Sequence, residues 1–498
     1  SKAAMNFGAD LRMDLFEKIQ QFSFQNIDNF STGSLITRLT NDITQIQNMI
    51  MMTLRMCLRS PGILIGAMVM AFVISPKLAA IFIIVLPVLA VLIVVIMRRA
   101  FPQFRTLQGK LDALNSCIQE GLVGIRLIKS FVRGDYEEMR FEKRNQQLKE
   151  ANLTAMKTML LYTPLMTLAL NITTVVVVWS GGNMIVAGNM QVGDLTAFTN
   201  YIVQIMSSLT MLSIAFLNWA RAIASFRRVG EVLDEKIDLT DENAKHKDRA
   251  VCEGSVEFQN VSFRYYKNSP EWVIENISFK LEAGKTLGII GPTGSGKSTL
   301  VSMIPRLYDT DEGTVLVDGI NVRDYGLKPL REGIGMVLQN NTLFSGSITE
   351  NLKWGDEHAD EKAVRKAAQN AQAAGFIDSF KDGYRTRLEQ SGNNVSGGQK
   401  QRLCIARALL KCPKILILDD STSAVDTATE RAIREALHSE YKDMTKIIIA
   451  QRIRSVMDAD EILVLDNGKT AGFGTHEQLL ADCPVYREIY DVQNGREE

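Results

Sequence analysis

Histidine is scarce in this chain, with four residues among 498, and the six cysteines are dispersed. Cys57, Cys117, Cys252, Cys404, Cys412 and Cys483 form no C-x-x-C pair and have no histidine at ligand spacing. That excludes a zinc site and a disulfide framework, and leaves reduced cytosolic or membrane-buried thiols. Neither sign of charge is in excess: Lys+Arg and Asp+Glu both number 56. The balance gives no pull toward nucleic acid. No internal repeat, low-complexity tract or secretory signal peptide is visible. With 46 % apolar and 22 % charged residues the chain is not disordered, and its length suits two or three domains of ~150 residues.

The apolar residues are unevenly spread. Residues 78–97 run for twenty positions without a charge, the length that crosses a ~30 Å hydrocarbon core. Residues 158–186 and 195–220 are two further uncharged runs, and 60–74 reaches spanning length if it begins near Met51. Three such runs are rare in soluble domains, so four membrane spans are expected, at about 51–74, 78–97, 158–186 and 195–220. Residues 98–157 carry twelve Lys/Arg, the turn at 75–77 one, and 180–194 none. The positive-inside rule then puts the long loop and both chain ends in the cytoplasm, with Lys77 outside and Arg133 inside. An arginine facing lipid costs ~2.5–3.5 kcal/mol, so Arg55 and Arg59 are expected at the interface or on the internal cavity.

Residues 1–50 have an amphipathic, helical pattern with a break near Asp28, Ser31 and Thr32. Residues 231–249 are polar and charge-rich, a linker. The expected organisation is a transmembrane domain over 1–231, a linker over 232–252, a second domain over 253–490 and a tail over 491–498. From Gly254 onward short β-rich runs (SVEFQNVSF, TLGIIG, TVLVDG, GIGMVLQ, KILILDD, KIIIAQ, EILVLDNG) alternate with helical stretches. The fold class is therefore multi-domain: an all-α polytopic membrane domain followed by an α/β domain with a largely parallel sheet.

Residues 291–298, G-P-T-G-S-G-K-S, fit G-x-x-x-x-G-K-[ST] after the strand TLGII and before the helical run STLVSMIPRLY. In that setting Gly291, Thr293, Gly294, Ser295, Gly296 and Thr299 belong to a phosphate cradle of backbone N–H groups. Lys297 would reach the β/γ-phosphates of ATP or GTP, and the Ser298 hydroxyl would ligate Mg²⁺. Asp419 ends the apolar strand KILILD, where the same Mg²⁺ is held.

Residues 395–408, V-S-G-G-Q-K-Q-R-L-C-I-A-R-A, complete the pattern. With them the second half resembles the ATPase domain of ABC transporters, and the fused membrane half, with G-S-L-I-T-R-L-T-N-D at 33–42, resembles multidrug-type ABC exporters. The resemblance implies ATP and Mg²⁺ as cofactors. It implies that Tyr265 stacks on adenine, with Tyr266 as an off-register alternative. It implies that Gln339 sits near Mg²⁺ and water and relays to the membrane domain. Ser396, Gly397, Gly398 and Gln399 would hold the γ-phosphate of ATP on the opposite subunit, and residues 421–426 (STSAVD) would be exchanged across the dimer.

Departures from that pattern carry the finer expectation. The family's carboxylate after Asp419 is Glu; here it is Asp420, one methylene shorter, and a misplacement of ~1 Å can cost ~10²-fold in rate. The family's His after KIIIA is Gln451, and none of the four histidines replaces it. Before the signature, Glu389 and Gln390 stand where many relatives have Gly-Glu. Asp420, Gln339 and Gln451 are thus the catalytic positions of a weakened site, resembling the degenerate subunit of heterodimeric bacterial exporters. Against the family's six spans four are visible, and residues 1–24 resemble the cytoplasmic extension of the second span. The expected protein is a multi-pass subunit of the inner or plasma membrane that exports multidrug, lipid or peptide-like amphipathic compounds. Its partner would be a second half-transporter, with a homodimer as an alternative. An ATP-binding regulatory subunit without significant hydrolysis is a further alternative, whereas a soluble ABC ATPase of the DNA-repair kind conflicts with the apolar runs.

Overall fold

The computed structural model describes residues 2–57, 59–267, 269–420 and 425–494. The chain forms two compact units: residues 1–19 with 33–234, and residues 20–32 with 235–498.

The first unit is helical. Among its described residues three helical stretches are long and apolar enough to cross a membrane: Thr32–Ile74, Pro76–Val123 and Gly134–Val186. The run at 195–220 lies within a further helix of 42 residues, Val192–Leu233. Ser75 caps the second stretch by accepting from the Leu78 amide, with Pro76 in the first turn, where its missing N–H is no loss. The packed seam holds Ala67, Ala71, Phe82, Val177, Phe198 and Ile202, and Phe82 stacks on Phe198 at 5.6 Å. On the outer faces Ile83, Ile84, Val91 and Trp179 are exposed, the inversion expected where the solvent is lipid. Arg55, in a wide π-helical turn at Thr53–Cys57, and Arg59 are exposed as well. Below the apolar seam the side chains become polar. Asp42 is buried, accepts from Ser225 Oγ at 2.8 Å and pairs with the Arg228 guanidinium, while Arg38 pairs with Glu231 at 3.1 Å.

Among its described residues the second unit contains two main sheets, where the sequence pattern suggested one, and a two-stranded pair of Gly346–Ser347 with Arg387–Leu388. A four-stranded antiparallel sheet has the order Ile274–Leu281, Val256–Phe263, Glu312–Val317, Ile320–Asn321. The other is six-stranded, ordered Lys469–Gly474, Glu461–Asp466, Thr286–Ile290, Thr445–Ile449, Ile415–Asp419, Ile334–Val337, and is parallel except at its first pair. Its middle strands are buried on both faces, which is why they read as unbroken apolar runs. A second core beneath the helix Gly397–Leu410 gathers Leu403, Ile405, Leu409, Val364 and Ile377.

The short helix Phe24–Asn29 groups with this unit. Ser23 and Asn26 form its capping box, and Asn26 Nδ2 donates to the Lys236 carbonyl at 2.9 Å. The helical run after the glycine loop is shorter than its sequence suggests: helix Lys297–Ser302 ends after six residues. Residues 299–306 are all buried, so no polar face marks where the helix stops.

Candidate ATP site

Four neighbouring parallel strands deliver the site from their carboxyl ends. Thr286–Ile290 leads into the glycine loop, Thr445–Ile449 into Gln451, Ile415–Asp419 into Asp419 and Asp420, and Ile334–Val337 toward Gln339. Ile449 pairs with both Ile289 and Asp419, so the register fixes the loop, the aspartates and Gln451 at one edge. There Thr293, Lys297, Ser298, Gln339, Asp419 and Gln451 line a common cavity of about 320 Å³, together with Gly294, Gly296, Thr299 and Asp420.

The loop geometry requires glycine at position 296. Its φ is +89°, and a Cβ there would lie 2.6 Å from Ile274 Cγ2 and 2.9 Å from the Val273 carbonyl. Gly296 then starts the helix at Lys297. Lys297 Nζ donates to the carbonyls of Gly291 (2.8 Å) and Pro292 (2.7 Å) and lies 3.4 Å from Ser295 Oγ. Burial pushes its pKa down, against the pull of Asp419 and Asp420. Ser298 Oγ donates to Asp419 Oδ1 at 3.0 Å. Burial raises the pKa of both aspartates; at Asp419 the Asp420 charge adds to it, while Ser298 and Lys297 oppose it.

These residues fit Mg²⁺-ATP: an ammonium held only by loop oxygens, and a hydroxyl bonded to a buried carboxylate, the donor pair of a nucleotide-bound magnesium. Among the described residues no group of three or more His, Cys, Asp or Glu could hold a metal; a Mg²⁺ held here by Ser298 and Asp419 would take the rest of its shell from nucleotide oxygens and water. Tyr265 is outside the cavity lining, but its hydroxyl bonds Thr299 Oγ1 at 2.8 Å and its ring meets Phe263 and Tyr308 edge-on. Tyr266 is 77 % exposed and Tyr265 36 %.

Asp420 has φ +46°, and its amide donates to the Ile449 carbonyl. Gln451 Nε2 donates to Asp420 Oδ2 at 2.9 Å. Position 451 therefore presents a neutral amide to the shortened carboxylate.

Ser396, Gly397, Gly398 and Gln399 do not line this cavity. Ser396 caps the helix Gly397–Leu410 in a reciprocal box, its Oγ accepting from the Gln399 amide and Gln399 Oε1 from the Ser396 amide. The motif thus opens a helix, with Gly397 exposed in its first turn. Of the stretch 421–426, residues 421–424 lie outside the described residues; Asp426 caps the next helix, Thr427–Glu440.

Two features have weak or no sequence signals. Tyr308 ties the short helix to the site: its hydroxyl donates to Asp28 Oδ2 at 3.1 Å and its ring packs on Tyr265 and Phe24. The Ser23/Asn26 spacing could have marked that helix start. Gln493, near the end of the last helix, bonds the turn carrying Gln451, and nothing in its sequence setting signals this.

A glycine loop of phosphate-cradle sequence, a serine bonded to a buried aspartate and a capped glycine signature on one α/β unit, joined to membrane-length helices, define an ATPase fused to a membrane domain. Family models agree: the ABC transporter transmembrane region matches residues 1–209 and the ABC transporter model residues 274–423. The chain is 42 % identical over 494 residues to the uncharacterized ABC transporter ATP-binding protein YfiB of Bacillus subtilis, covering 99 % of this chain and 85 % of that one. It is 36 % identical to YgaD of the same organism (97 % and 83 % covered), whose name assigns it provisionally to multidrug export as an ATP-binding/permease protein. Among solved structures, a bacterial Atm1-family ABC exporter with ATP bound matches with a TM-score of 0.85 and 26 % identity, over 99 % of this chain and 86 % of that one. The chain belongs to the ABC transporter family, as an exporter-type subunit combining permease and ATP-binding units. Its ATPase unit lies on the cytoplasmic side, and such exporters act as dimers in the membrane.

Proposed function

We propose that this chain is the subunit of an ATP-driven exporter of amphipathic compounds whose own ATP site binds nucleotide but turns it over slowly. Its intact Ser396–Gln399 signature would complete the faster site of a partner half-transporter. The observation that carries this reading is the 2.9 Å bond from Gln451 to Asp420. Bound Mg²⁺-ATP supplies the phosphoanhydride whose cleavage drives transport. Lys297 and the loop amides hold its phosphates, Ser298 and Asp419 its metal ion, and Tyr265 its base. Orienting and polarising a water falls to Asp420, one methylene short and engaged by an amide that offers no imidazole to the γ-phosphate. Gln339, lining the same cavity, would report metal and water occupancy to the membrane unit.

The test is ATP turnover by the purified chain alone and by the transporter recovered with its partner through a tag on this chain. Slow turnover alone and fast turnover in the pair is the expected result. Fast turnover by the chain alone would instead mark a homodimeric exporter, and none in either preparation an ATP-binding regulatory subunit.

A further inference from the structure

Gln451 sits on a turn held from two sides. The helix Thr427–Glu440 bonds it through Arg434 Nη1 to the Arg454 carbonyl (2.6 Å) and through Glu430 to Ser455 Oγ (2.5 Å). The other side belongs to the last helix, Pro484–Asn494. Gln493 Nε2 donates to the Gln451 carbonyl at 2.7 Å, and Gln493 Oε1 accepts from the Ile453 amide at 2.8 Å. The two backbone groups have fixed and opposite polarity, so one carboxamide in one orientation satisfies both.

The helix is placed to do this. Tyr486, Ile489 and Gln493 follow at i, i+3 and i+7, one face of an α-helix. Tyr486 is fully buried among Ala450, Ile453, Val456 and Ile290, and its hydroxyl meets His476 Nδ1 at 2.7 Å. The residues flanking Gln451 are thus packed against the base of the helix whose last turn carries Gln493. Beside the turn a cavity of about 660 Å³ is lined by Asp420, Gln451, Arg434 and Gln493.

From this geometry we infer that Gln493 is a positioning residue for the ATP site. It clamps the turn after the strand Thr445–Ile449 so that the Gln451 amide stays on Asp420, facing the cavity shared with Lys297. It acts through Gln451 and touches no nucleotide. The inference rests on the proposed function, in which Gln451 stands where the family's His would face the γ-phosphate, so its readout is the discrimination of ATP from ADP, not turnover.

Competition of Mg²⁺-ATP and Mg²⁺-ADP against trinitrophenyl-ATP on the purified chain gives that ratio for wild type, Gln493→Leu, Gln451→Ala and the double variant. Loss of one or two hydrogen bonds predicts a roughly three- to tenfold fall in ATP preference for each single variant. The double variant should fall no further, because both act on the same side chain. A purely structural role would lower the melting temperature of both backgrounds alike and leave the ratio unmoved. If Gln493→Leu fails to fold, Gln493→Glu, which keeps the acceptor for Ile453 and loses the donor to Gln451, gives the same readout. An unchanged ratio in the Gln493 variants, an unchanged ratio in Gln451→Ala, or additive losses in the double variant would each overturn the assignment. Fast hydrolysis by the chain alone would remove the slow-site reading and leave this cycle to be judged on binding alone.

Discussion

At one end of the cleft Lys297 is cradled by two loop carbonyls, Ser298 is bonded to Asp419, and Gly296 takes a backbone conformation that no larger residue fits. At the other end, one strand away, a short carboxylate is bonded to a neutral amide. Both ends stand on the same four strands. What separates them is side-chain chemistry: in the proposed reading the first would hold charge already present in the nucleotide, while the second would have to activate a water. In the proposed reading, two residues uncouple turnover from binding without disturbing the fold.

The largest effect should come from a part lying in neither end. Gly397→Asp puts a carboxylate where the signature would meet the partner's γ-phosphate, yet acid in the first turn of a helix is favourable, so the helix start survives. Turnover by the recovered pair should fall to background in a phosphate-release assay, with binding at this chain's own site retained. Lys297→Ala should do the reverse. It weakens Mg²⁺-ATP at this site by ~10²-fold, the loss of a charge-assisted phosphate contact, measured by the same trinitrophenyl-ATP competition. Gly296→Ala sharpens the comparison within the binding end. Strain at positive φ and the approach to Ile274 should cost about 1–3 kcal/mol, read as a lower melting temperature and roughly tenfold weaker nucleotide binding. A smaller change is expected at the base: Tyr265→Ala should weaken ATP several-fold, on the order of 1 kcal/mol for a lost aromatic stack, whereas Tyr266→Ala should leave the affinity unchanged.

The binding end was legible in the sequence because each part is local. TLGII before G-P-T-G-S-G-K-S and KILILD before Asp420 are runs whose meaning follows from a few adjacent residues. The long apolar runs of the membrane unit are local signals of the same kind. The bond between Gln451 and Asp420 spans 31 positions and depends on the register of Thr445–Ile449 with Ile415–Asp419, which no single run encodes. The separate antiparallel sheet was hinted at by the alternation in Val256–Phe263, where Val256 and Phe258 point inward, but its partners lie far along the chain. Tyr308 on Asp28 joins residues 280 positions apart, and the tyrosine alone reads as an ordinary core ring. Gln493 is one polar residue on an amphipathic helix, and only the packing of Tyr486 shows where that helix delivers it.

The reacting end is tested most directly by Asp420→Asn in the transporter recovered through a tag on this chain. Asparagine keeps the size and a hydrogen-bonding oxygen but removes the carboxylate charge, so it strikes water activation alone. Multiple-turnover ATP hydrolysis should stay within about twofold of wild type, because most of the flux passes through the partner's site. A drop of ~10²-fold, the loss expected when a working catalytic group is removed, would show that Asp420 is a functional base and contradict the account.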